Sequence, residues 1–65
     1  MRVELNGEQV ETAAATLSEL IEEQGLAAPS VATALNGEFV PRGMRDGTVL
    51  TDGARIEVLS PMQGG

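Results

Sequence analysis

The chain opens on an alternation. In "MRVEL", Met1, Val3 and Leu5 fall on one side and Arg2 and Glu4 on the other, which predicts a half-buried strand. Asn6-Gly7 follows, a dipeptide suited to the positive φ angles of a tight hairpin. "EQVET" reads as the returning strand, with Val10 inward. The period then changes. In "TLSELIEEQGL", Leu17, Leu20 and Ile21 recur at i, i+3 and i+4 and form one apolar stripe. Thr16 and Glu19 have the spacing of a capping box. Gly25 can take the left-handed stop, Leu26 can fold back over it, and Pro29 bars continuation. A short helix over residues 17–24 is predicted, with Glu19, Glu22 and Glu23 on its solvated side.

"VATALNGEFVPR" is a second strand, turn and strand, which Pro41 ends. Its "LNGE" at residues 35–38 repeats residues 5–8. The flanks differ, so the same turn is used twice and no larger unit repeats. "RGMRDGTVLTDGA" reads as loop, with turns at Asp46-Gly47 and Asp52-Gly53 and with Val49-Leu50 as a buried anchor. In "RIEVLS" Ile56 and Val58 point inward, and Arg55, Glu57 and Leu59 point outward. A hairpin at each end with one helix between them is the pattern of an α+β, β-grasp (ubiquitin-like) fold. Its mixed sheet of four to five strands packs on one helix, with the first and last strands parallel in the middle. The domain takes residues 1–60, and residues 61–65 form a flexible C-terminal tail.

Composition narrows the chemistry. The chain has 65 residues and neither cysteine nor histidine, so disulfides and zinc do not staple it. Val, Leu, Ile and Ala, with the single Phe39, must supply the core. Ten acids against four arginines give a net charge of −6. That disfavours nucleic acid and anionic membranes, whose binding rests on basic side chains. It suits a protein partner with a basic surface. No apolar run is long enough to span a membrane, and the N-terminus has no signal-peptide pattern, so a cytoplasmic protein is expected. Lysine, tyrosine and tryptophan are also missing. With them go most of the usual general bases, nucleophiles and Schiff-base amines, and a non-enzymatic role is expected.

The sequence given ends "SPMQGG". At about 7% glycine usage, Gly-Gly ends roughly one chain in 200 by chance, so this ending carries weight only alongside the rest. Pro61 cannot donate to a sheet ladder. Five extended residues reach about 17 Å, and glycines lack the Cβ that would block a narrow channel. Such an arm can carry the Gly65 carboxylate into another protein's active site, with Met62, Gln63 and Gly64 as its stem. Adenylation by ATP would make that carboxylate an electrophile, open to sulfur or to an amine. Leu59 is large, apolar and outward, and Ala34 faces the same side from the neighbouring strand. With Met62 they form an expected patch that guides a partner to the tail.

Together these segments resemble the ThiS family, the sulfur carriers of thiamine biosynthesis. The likeness runs the whole length: the opening strand with Asn6-Gly7, the short helix, Val40-Pro41-Arg42, the L-x-D-G turn at 50–53, and the Gly-Gly end. It departs in two places. Family members often have an aromatic or bulky residue a few positions after the arginine, for which Met44 is the nearest candidate, and Ala54 replaces an acid after the turn. The resemblance implies that an E1-like adenylyltransferase consumes MgATP to adenylate Gly65. A sulfur donor such as a cysteine desulfurase then yields a Gly65 thiocarboxylate, and thiazole synthase receives the sulfur. It implies no bound cofactor or metal, and it makes Arg42 a candidate partner contact. Related readings are a carrier for another pathway (molybdopterin synthase small subunit-like, or cysteine or tRNA thiolation) and a ubiquitin-like modifier. A plain acidic interaction domain with an incidental Gly-Gly is the remaining one.

Overall fold

The computed structural model describes residues 1–60. Strands β1 (Arg2–Leu5) and β2 (Glu8–Glu11) form the first hairpin, with Val3 opposite Val10. Helix α1 (Leu17–Glu23) follows. Strands β3 (Ala32–Leu35) and β4 (Glu38–Val40) form the second hairpin, and β5 (Arg55–Leu59) closes the sheet. The strand order is β2-β1-β5-β3-β4. β5 runs parallel to β1 and antiparallel to β3. The expected mixed sheet is present with all five strands, and the first and last strands are neighbours at its centre.

The two "LNGE" turns are the same turn in space. Asn6 and Asn36 both have φ +51°, and Gly7 and Gly37 both have φ +86°. Two successive positive φ angles are the signature of the hairpin turn whose twist matches that of the strands.

Helix α1 starts and stops as its punctuation predicts. The Thr16 hydroxyl accepts the Glu19 N–H at 3.3 Å. The Glu19 carboxylate reaches one residue further back than a capping box requires and accepts the Ala15 N–H at 2.7 Å. Gly25, at φ +71°, donates its N–H to Glu22 O, and Leu26 donates to Ile21 O. These two bonds satisfy the last carbonyls of the helix. Glu23 is exposed, as expected of the polar side, and its carboxylate also accepts the Thr12 hydroxyl. Thr16→Ala should cost about 1 kcal/mol, the usual value of an N-cap side chain. Urea unfolding of the two proteins measures it, and the slope should not change.

The stripe of Leu17, Leu20 and Ile21 is buried against Val3, Val40, Leu50, Ala54, Ile56 and Val58. Full burial of each large aliphatic side chain contributes about 1.5–3 kcal/mol. Two members of the expected core are not in it. Phe39 is 70% exposed and Val49 is 66% exposed. Val40 takes the inward position of β4, so the period of two turns Phe39 to the other face. Val49 and Leu50 are adjacent in extended chain and cannot both face inward. Leu50 does, while Val49 shows its side chain to solvent and pairs its backbone with Thr16.

The segment read as loop contains a 3₁₀ helix, Arg42–Gly47, and a shorter one, Ala28–Ser30, precedes β3. A 3₁₀ helix has three residues per turn, so Arg42 and Arg45 stand on one side of it. Met44, the expected bulky residue of this segment, is 62% exposed, and Arg45 is the buried one, at 3%. Arg45 donates from Nε to Thr33 Oγ1 (3.0 Å), from Nη1 to Ala28 O (2.9 Å) and from Nη2 to Val31 O (2.7 Å). The Thr33 hydroxyl in turn donates to Val40 O at 2.9 Å. One guanidinium thereby ties both 3₁₀ helices to β3 and β4.

Candidate functional site

The helix covers one face of the sheet, and the other face is open. Residues directly opposite each other across a ladder share a face, so the pairs Ala32–Leu59, Ala34–Glu57 and Ala34–Phe39 lie on that open side. Leu59 is 72% exposed. The two alanines form a low floor between Phe39 and Leu59, and the resulting shallow groove of about 190 Å³ reaches Asn6 at one side. A second groove, bounded by Pro29, Val31, Ala32, Leu59 and Ser60, adjoins it at the end of β5. The apolar surface is therefore continuous with the point from which residues 61–65 depart.

The structure brings Ala34 and Leu59 together, as the alternation predicts, and adds Phe39 from the edge strand β4. Arg42 is not with them. It lies on the helix side, in a groove of about 430 Å³ that it shares with Ser18, Glu22, Leu26 and Arg45. Met62, Gln63, Gly64 and Gly65 lie outside the described residues. Phe39 was legible from the position of Val40 beside it, since an inward Val40 forces an outward Phe39.

What this surface can do chemically is bind. An exposed aromatic ring beside an exposed leucine over small residues is the composition of an interface centre. Among the described residues no group of three or more His, Cys, Asp or Glu side chains is placed to hold a metal ion. No helix among them is long and apolar enough to cross a membrane.

The sequence model of the ThiS family matches residues 2–65. The chain belongs to the ThiS family. The match takes in the β-grasp body and the Gly-Gly end alike. The crystal structure of the thiamine biosynthesis protein ThiS from Geobacter metallireducens superposes with a TM-score of 0.84. It is 33% identical, over 100% of both chains. The NMR solution structure of a thiamine biosynthesis protein from the same organism gives a TM-score of 0.82 at 33% identity. That match covers 100% of this chain and 88% of that one. A comparison with curated proteins found no match. Both ThiS departures noted in the sequence fall on the body. Ala54 is buried at 3%, where an acid would be desolvated, and Arg45 fills the interior position of the 3₁₀ segment.

Proposed function

We propose that this ThiS-family protein is a sulfur carrier for thiazole formation in thiamine biosynthesis and that Gly65 bears the sulfur. The observation that carries the reading is the family match over residues 2–65, which includes the Gly-Gly end. An apolar open face continuous with the end of β5 supports it. The Gly65 carboxylate attacks the α-phosphorus of MgATP in an E1-like adenylyltransferase, and pyrophosphate leaves. Sulfide attacks the acyl carbon and AMP leaves; where a cysteine desulfurase is the donor, its persulfide displaces AMP to give an acyl disulfide, which a thiol reductant then cleaves to the thiocarboxylate. The resulting thiocarboxylate gives its sulfur to thiazole synthase, and the carboxylate returns. The carrier contributes no acid or base to these steps. Its part is to dock through Phe39, Leu59 and the Ala34 floor, and to deliver Gly65 on a stem of Met62, Gln63 and Gly64. Arg42, on the helix side, is outside that face.

The test is the intact mass of the protein after incubation with MgATP, sulfide and a candidate activating enzyme, beside a Gly65-deleted control. The expected result is a gain equal to one oxygen replaced by sulfur, absent from the control, and transfer of that sulfur by thiazole synthase. Recovery of Gly65 in amide linkage to lysines of other proteins would replace this reading with that of a modifier. No gain with any of several competent activating enzymes would remove it.

A further inference from the structure

The repeated turn does more than reverse the chain twice. In the parallel ladder of β1 and β5, Glu4 N–H donates to Ala54 O at 2.8 Å and Asn6 N–H donates to Ile56 O at 2.9 Å. The next bonds in that ladder would need a C=O and an N–H from β1 facing Val58. The chain has already turned away at Asn6-Gly7. The Asn6 side chain supplies both groups instead. Its Oδ1 accepts the Val58 N–H at 2.8 Å, and its Nδ2 donates to Val58 O at 3.1 Å. A carboxamide is a peptide group on a one-carbon stem, so it completes the ladder where the backbone has left it. The second copy does a lesser version at the other end of the strand, where Asn36 Oδ1 accepts the Arg55 N–H at 2.9 Å.

We propose that Asn6 is a positioning residue for the carrier's tail. By holding both polar groups of Val58 it adds a second side of support to the end of β5, beside the β3 ladder, and so narrows the directions in which Leu59 and Ser60 lead the chain out of the sheet. Without it, the β1 side of β5 would be unpaired beyond Ile56, and the end of the strand would be held from one side alone, by the β3 ladder that ends at the Ala32–Leu59 pair. The inference rests on the sulfur-carrier reading and names a residue that the reading does not require.

The test compares Asn6→Gly with Asn36→Gly. Glycine accepts φ +51° at either turn, so each variant loses a carboxamide and keeps its hairpin. Two measurements are made on each full-length chain: amide hydrogen exchange at Val58, and steady-state thiocarboxylate formation by the activating enzyme with MgATP and sulfide. Asn6→Gly should speed Val58 exchange and raise KM for the carrier, each by about tenfold, as loss of one or two hydrogen bonds implies. Its kcat should stay within about twofold, because a correctly threaded tail still reacts. Asn36→Gly should leave Val58 exchange and KM at wild-type values. Asn6→Asp keeps the acceptor for the Val58 N–H and should recover most of its protection. If the two glycine variants have the same KM, the inference is wrong. It is also wrong if KM rises in Asn6→Gly while Val58 exchange does not, since Asn6 would then touch the partner directly. A wild-type chain that no activating enzyme charges overturns the functional reading itself, whatever the variants do.

Discussion

Arg45→Ala is expected to lower stability by about 3 kcal/mol, from the loss of three charge-assisted hydrogen bonds and of the volume behind them. In a domain of this size that is a fall of about 12–24 °C in Tm. The size of the effect depends on two opposing terms. Burying a guanidinium is costly, and among the described residues no carboxylate comes within 4.0 Å of Arg45. Truncation removes that cost. It also strands Ala28 O and Val31 O and leaves Thr33 Oγ1 without its donor, and it opens a cavity between the helix and both 3₁₀ segments. The stranded acceptors and the cavity should win in Arg45→Ala. Arg45→Met separates the terms, because it fills the space and carries no charge to desolvate. It should lose only about 1 kcal/mol, as apolar replacements of buried ions tend to do. Thermal unfolding followed by far-ultraviolet circular dichroism measures both variants. An Arg45→Ala protein as stable as wild type would mean that the three acceptors find water once the side chain is gone.

The open face should respond in the opposite way. Phe39→Ser and Leu59→Glu should each weaken binding to the activating enzyme by about 30-fold, the value of losing a central interface anchor of roughly 2 kcal/mol. Neither should lower Tm by more than a few degrees, since both side chains are largely exposed. Arg42→Ala, on the helix side, should change affinity less than threefold. Titration of the enzyme with each purified variant, at one salt concentration, reads all three. An unchanged affinity in Leu59→Glu would show that the partner does not use this face, and the exposed phenylalanine would then need another explanation.

Most of the fold was legible because it rests on local rules that agree with one another. The alternation placed Val3, Ile56 and Val58 inward and Leu59 outward. Two Asn-Gly pairs marked the hairpins, and Thr16 and Gly25 marked the helix ends. The misreadings share one cause, a residue assigned by type where its period should have decided. Phe39 was counted as core because it is aromatic, although Val40 beside it already held the inward position. Val49 was grouped with Leu50 because both are apolar, although neighbours in extended chain face opposite ways. Arg45 was hidden for a different reason. Nothing in "RGMRDG" marks it as 3₁₀, since such short segments form from tertiary contacts more than from propensity. A buried arginine is legible only once the carbonyls it serves have been placed. At the site, Ala34 and Leu59 followed from the pleat. The separation of Arg42 from them depends on which side the 3₁₀ segment packs, and no local pattern encodes that.

The placement of β5 between β1 and β3 has a consequence for the protein's synthesis on the ribosome. Its contacts with the first hairpin span about fifty residues, as Asn6 with Val58 and Arg2 with Asp52 illustrate. Contacts so distant in sequence form late in folding. Until residues 55–59 have been translated the sheet has no central strand, the two hairpins have nothing to join them, and the helix stripe has no Ile56 or Val58 to cover it. A growing chain therefore cannot display Leu59 beside Ala34 and Phe39 before its last strand exists. An enzyme that recognises that face therefore passes over chains that stop before their last strand.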